Sequence, residues 1–187
     1  MTVFDRALCF AIEKHEGQIR RMNHIPYILH PMEVATIAGT ITNDLDVLAA
    51  TVLHDTIEDA NVTEQELREK FGDRVADLVL TETEKQYADI DPVKSWRMRK
   101  EGSLQMLRTT QDNAVRIMWL ADKLSNLRSF ELGIQQSGDK FWEEFHQKDL
   151  SAQAWYYHSI AECLTPLQDT RAYQEFVSLI DKLFKDY

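Results

Sequence analysis

Apolar residues recur three or four apart through most of the chain, the spacing that gathers them on one face of an α-helix. Phe4, Leu8, Ala11 and Ile12 mark a first amphipathic helix, and Gly17, just after His15 and Glu16, is a stop signal. The polar stretch QIRRMNHIPY reads as a loop. Pro31 suits a first helical turn, where its missing N–H is not needed, so the next helix runs through MEVATIAGTI with His30 at or just before its start. Asn43 or Asp44 caps a helix carrying LAATVLHDTIEDA, and Thr63-Glu64-Gln65-Glu66 has the form of a capping box for a short helix ending at Phe71-Gly72. Asp73 opens DRVADLVLTET, Asp91-Pro92 opens VKSWRMRKEGSLQMLRTT across Gly102, and Asp112 caps NAVRIMWLADKLSNLRSFEL. A short element around FWEEF, a helix from about Leu150 to Leu167 and a last helix from Ala172 to Phe184 complete the reading. Strand alternation is missing, and Gly and Pro are scarce, so the expected fold class is all-α.

Two of these helices carry ionisable side chains where apolar ones are due. In LAATVLHDTIEDA, Val47, Thr51, His54 and Glu58 share a face, Asp55 and Asp59 form the next ridge, and Glu58-Asp59 falls one turn beyond His54-Asp55. Leu45, Leu48, Ala49, Val52 and Leu53 cover the other sides, so the charges face burial, which costs several kcal/mol unless they are paired or metal-bound. In NAVRIMWLADKLSNLRSFEL, Val115, Trp119, Asp122 and Asn126 form one stripe beside another of Ile117, Leu120, Leu124 and Leu127, which puts Asp122 in the core or on a pocket. His30, His54, Asp55 and Asp122 together offer two imidazoles and two carboxylates, a donor set that suits Mn²⁺, Fe²⁺ or Zn²⁺. Asp122 and Asn126, four apart, face one pocket.

At 187 residues the chain fits one domain. Its formal charge of −10 argues against general nucleic-acid binding, which draws on a basic surface, and leaves room for a small anion in a local basic pocket. Cys9 and Cys163 make neither a disulfide framework nor a thiolate zinc motif. The N-terminus mixes charged and apolar residues, unlike a signal peptide, and no apolar run reaches the roughly 18 residues that cross a bilayer, so the expectation is a soluble, cytoplasmic protein without membrane partners. Nothing in the pattern speaks for or against self-association.

The segments HEGQIRRMNHIPYILHP, LAATVLHDTIEDA and LADKLSNLRS resemble the ordered blocks of HD-domain phosphohydrolases of the RelA/SpoT type, and more narrowly the small alarmone hydrolases. The likeness runs over about residues 5 to 130, with residues 138 to 187 as a helical C-terminal extension, and implies a single HD-type helical bundle over residues 1–187. It implies that His30, His54, Asp55 and Asp122 hold one metal, usually Mn²⁺, and that Glu58 and Asp59 activate or position water. The implied substrates are guanosine tetra- and pentaphosphate, (p)ppGpp, cleaved to GDP or GTP and pyrophosphate. Arg20 and Arg21 match a basic pair near the nucleotide, Asn126 the asparagine after the last metal-binding aspartate, and Tyr156 an aromatic beside the nucleotide. Trp119 stands where relatives commonly have lysine, and Met22-Asn23-His24-Ile25 replaces a glycine-containing turn. No synthetase region follows in this sequence, so synthesis of the alarmone is not expected. Competing readings on the same scaffold are hydrolysis of another phosphate ester, such as a nucleotide or the 2′-phosphate of NADPH, and a nucleotide-binding module without turnover.

Overall fold

The structure, a computed structural model, describes residues 1–20, 24–84, 90–145 and 147–187. Helix α1 (Val3–Lys14) starts with a reciprocal cap, Thr2 and Asp5 each accepting the other's backbone N–H, and ends before Gly17 at φ +73°. The following loop doubles back. Among the described residues, β pairing is confined to an antiparallel bridge between Ile19 and Pro26. Tyr27 N–H donates to the Gln18 carbonyl and Arg20 N–H to the Ile25 carbonyl, both at 2.9 Å, so Gln18, Arg20 and Tyr27 are presented from one pinned hairpin.

Helix α2 (Leu29–Ala38) has Pro31 in its first turn and His30 beside it. Helix α3 (Leu45–Leu53), capped by Asp44, is the central element and packs against α1 and α2. Ala49, Ala50, Thr51, Val52 and Leu53 are all fully buried, and the two alanines let neighbouring helices approach closely. The periodicity expects this helix to continue through His54-Asp55, but it stops at Leu53 and resumes as a single turn, α4 (Thr56–Asp59). Side-chain contacts to the backbone accompany the break. His54 Nδ1 lies 2.8 Å from the Thr51 carbonyl and Thr56 Oγ1 donates to the Leu53 carbonyl at 2.6 Å, satisfying carbonyls that the next helical amides would otherwise bond.

Helix α5 (Glu64–Phe71) is capped by Thr63, which accepts from Glu66 N–H. Only that half of the expected box is seen, because the Glu66 carboxylate pairs instead with Lys14 at 3.3 Å. Gly72, at φ +90°, turns the chain into α6 (Asp73–Glu82). Helix α7 (Pro92–Thr109), capped by Asp91, runs through Gly102 unbroken. Helix α8 (Asn113–Ser137), capped by Asp112, is five residues longer than its sequence pattern and packs against α2, α3 and α6.

A 3₁₀ segment (Gly138–Glu144) folds back along α8, close enough that Phe141 lies against Gly133. Phe130, Phe141, Trp142 and Phe145 pack there with centroids 5.1–5.6 Å apart, which seats Phe145. Helix α9 (Leu150–Cys163) ends earlier than the expected Leu167, since Pro166 disfavours helical geometry at Thr165 and a short 3₁₀ turn (Thr165–Leu167) follows. Helix α10 (Arg171–Leu183) returns across α8 and α9. Among the described residues, no helix is long and apolar enough to cross a membrane.

Candidate metal centre

His54 sits just beyond the end of α3, inside the protein at 3% exposure. A carbonyl only accepts, so the contact with Thr51 puts the ring hydrogen on Nδ1 and leaves Nε2 a lone pair. That Nε2 is buried and, among the described residues, has no hydrogen-bond partner. It nevertheless lies 2.9 Å from Asp55 Oδ2 and 3.6 Å from Asp122 Oδ1. Acceptors this close repel unless a proton or a metal cation stands between them, and the same demand drives the His54 pKa well above its usual range: burial opposes it, and Asp55 and Asp122 prevail.

His30, from α2, brings its Nε2 to 3.1 Å from Asp122 Oδ1 and 3.6 Å from Asp55 Oδ2. Burial holds its pKa below the ordinary value. Its ring lies edge-on to His54, centroids 5.1 Å apart. Ligand atoms of His30, His54 and Asp122 fall within 4.8 Å of one another, with Asp55 against both imidazoles. Burial alone would raise the Asp122 carboxyl, but the Lys123 ammonium beside it and the two imidazoles hold it well below the usual range. This set fits a divalent cation, because the buried, unpartnered Nε2 and the facing carboxylates need one positive charge among them.

The acid pair is divided. Tyr27 donates to Asp55 Oδ2 at 2.5 Å and reaches Asp59 Oδ2 at 3.0 Å, and Asp59 lines the cleft together with His30 and Asp55. Burial, then the Asp55 charge, raises the Asp59 carboxyl. Glu58 turns aside, accepting the Glu84 N–H at 2.6 Å, and is not among the cleft-lining residues. The helix break re-aims these carboxylates, so the spacing of an unbroken helix did not foretell their separation.

The cleft encloses about 650 Å³, which suits a nucleotide-sized ligand. Arg20, 5% exposed, lines it and donates to Asn126 Oδ1 at 2.8 Å, while Asn126 donates to Asp122 Oδ1 at 2.8 Å. Arg20 Nε has no partner among the described residues, a buried donor suited to an anion. Arg21 lies outside the described residues, as do Met22 and Asn23. Tyr156 is 3% exposed, packed on Trp96 and Tyr157 beneath the Lys100 ammonium, and lies off the cleft lining. Phe145, carried there by the 3₁₀ segment, lines the cleft wall, as does Tyr27.

Trp119, expected to leave the pocket short of a positive charge, instead stacks beneath one. It is buried at 1%, and the ammonium of Lys123, one turn on, lies 4.8 Å from its ring centre and pairs with Asp122. Lys123, next to Asp122 in sequence and passed over by the pattern reading, therefore adds to the positive charge that Arg20 brings to the cleft. Glu82 was missed as well. It continues the apolar stripe of Val75, Leu78 and Val79, and an acid at that position was the available signal. Its side chain is 5% exposed with Lys123 Nζ at 4.0 Å, and burial raises its pKa to about 8. Tyr27, three residues before His30, was a third omission.

The HD domain family matches residues 7–147. The Aquifex aeolicus protein named guanosine-3′,5′-bis(diphosphate) 3′-pyrophosphohydrolase is 34% identical over 140 residues, which is 74% of this chain and 19% of that protein. Curated relatives are thus far longer, and the chain spans 17% to 19% of the first of them. A Listeria monocytogenes EGD-e protein of known crystal structure is 30% identical and superposes with a TM-score of 0.73, covering 84% of this chain and 99% of that one. A metazoan SpoT ortholog, described as hydrolysing ppGpp, shares the fold at 22% identity with a TM-score of 0.72, over 99% of this chain and 95% of its own. The family brings with it dependence on a divalent metal, for which the paired imidazoles and carboxylates are the matching feature. With the matched region spanning His30, His54, Asp55 and Asp122, the chain belongs to the HD domain family.

Proposed function

We propose that this chain is a Mn²⁺-dependent 3′-pyrophosphohydrolase of guanosine tetra- and pentaphosphate. The reaction takes up one water and releases GDP or GTP with a free 3′-hydroxyl, plus pyrophosphate. The observation that carries the reading is the placement of a buried, partly unpaired arginine, Arg20, on the wall of a cleft that His30, Asp55 and Asp122 also line, with the buried His54 Nε2 against both carboxylates. Phosphate recognition and the metal ligands are then adjacent.

A divalent ion held by these four residues would polarise a phosphoryl oxygen and lower the pKa of its water. The protein's own groups do the rest. Asp59, raised by burial and by Asp55, is poised on the cleft to accept a proton, while Tyr27 holds it in register with Asp55. Glu58, its neighbour in sequence, accepts the Glu84 amide N–H and lies off the cleft lining. Arg20 and Lys123 face the phosphate charge, Asn126 aligns Arg20 with Asp122, and Phe145 offers a face for a base. Arg21 is assigned to the same phosphate-binding loop on its neighbouring position. One domain over residues 1–187, working on a small nucleotide rather than on nucleic acid, completes the proposal.

The test is incubation of metal-stripped protein with guanosine tetraphosphate, with and without Mn²⁺, separating products by ion exchange and assaying pyrophosphate and orthophosphate. Mn²⁺-dependent GDP plus pyrophosphate, abolished in Asp122→Asn, is the expected result. Folded, metal-loaded protein that leaves the alarmone intact refutes the assignment.

A further inference from the structure

His30 is oriented from behind by a chain of hydrogen bonds that leaves the cleft altogether. Its Nδ1 lies 2.8 Å from Ser125 Oγ on α8, and that hydroxyl donates to Glu33 Oε2 on α2 at 2.7 Å. Arg128 donates to Glu33 Oε1 at 3.0 Å and, through Nε and Nη2, to both carboxylate oxygens of Glu175 on α10 at 2.7 and 2.9 Å. Ser125 is fully buried, so no bulk water competes for its hydroxyl.

The chain has a direction. A hydroxyl has one hydrogen, and a carboxylate only accepts. With that hydrogen committed to Glu33, Ser125 can only accept from His30, so the imidazole hydrogen sits on Nδ1 and Nε2 offers its lone pair to the metal position. The opposite arrangement has a strong competitor on the other side of the ring, because Asp122 Oδ1 lies 3.1 Å from Nε2 and would welcome a hydrogen there. An imidazole so protonated would have to surrender that proton before it could bind a cation.

We propose that Glu33 is a positioning residue, acting through Ser125 to hold His30 in its metal-binding tautomer, with Arg128 and Glu175 anchoring it to helix α10. The proposal rests on the metal-centre reading and not on the identity of the substrate. It makes the C-terminal helix part of the site's support. Glu33→Gln is the sharpest probe. Glutamine has a single acceptor oxygen, which Arg128 competes for, and its amide then donates to Ser125 and frees the hydroxyl to donate to His30 Nδ1.

Long-range ¹H–¹⁵N spectra of the metal-stripped protein, with the His30 signals assigned by His30→Asn, read the tautomer directly. Mn²⁺ and Zn²⁺ titrations by calorimetry read affinity. The expected result is a shift from Nδ1–H toward Nε2–H in Glu33→Gln and a loss of metal affinity of about 10- to 100-fold, with Ser125→Ala losing affinity to the same degree. A purely structural role would lower the melting temperature of both variants and leave tautomer and affinity at their wild-type values, which overturns the proposal. Should wild-type protein bind neither ion, the metal-centre reading fails, and the tautomer comparison still decides the relay.

Discussion

Replacing Glu82 by glutamine separates a cost of burying charge from the chemistry it serves. The Glu82 side chain is 5% exposed, its Oε1 has no hydrogen-bond partner among the described residues, and the nearby cation, Lys123 at 4.0 Å, is already paired with Asp122. Burial first, then the Asp122 charge, raises its pKa to about 8 from an ordinary 4.5. Between those values the native protein holds a proton that the unfolded chain has lost, so stability falls as pH rises through the window and the full cost is reached above pH 8. At about 1.4 kcal/mol per pH unit, the ceiling is about 5 kcal/mol, and relaxation of the surroundings and water entry reduce it to about 2–3 kcal/mol. Glutamine is neutral throughout. Urea unfolding followed by circular dichroism, in chelator, should therefore show Glu82→Gln within about 1 kcal/mol of wild type at pH 5 and about 2–3 kcal/mol more stable at pH 8.5. Taking the difference between the two proteins cancels the titrating groups that do not interact with Glu82. A difference that does not change with pH, or a variant less stable at pH 8.5, would refute the reasoning.

Tyr27→Phe removes the donor shared by Asp55 and Asp59, and a hydrogen bond to a charged group is worth about 1.5–3 kcal/mol, so kcat/KM should fall about 10- to 100-fold with the fold intact. Unaltered steady-state kinetics would show that the bridge does not align the acids. Gly133→Ala places a methyl 2.2 Å from Phe141 Cε2, in a cluster of rings with little room to yield. Denaturant unfolding should show a loss of about 1–3 kcal/mol, and the displaced Phe145 should raise KM more than it lowers kcat. Stability equal to wild type would mean that the 3₁₀ segment is not held there by this contact.

The all-α class was legible because helical periodicity and caps are local: Asp44, Thr63, Asp91 and Asp112 each cap the helix their sequence context announced. The donor types His30, His54, Asp55 and Asp122 were legible too, since ionisable residues stood out on apolar faces. Which buried faces meet is a different matter. His30 reaches Ser125 across 95 positions, Arg20 reaches Asn126 across 106, and Phe145 arrives only because an aromatic cluster folds the chain back along α8. Periodicity reports that a face is buried, not what covers it, and so Lys123 and Glu82 read as ordinary helix and became part of the site, while Tyr156, which the resemblance alone had put beside a nucleotide, lies buried off the cleft lining. The interruption at His54-Asp55 belongs to the same class. Side chains there satisfy the ends of α3, redirect Glu58 and Asp59, and make the site from a helix that the pattern alone would have drawn straight.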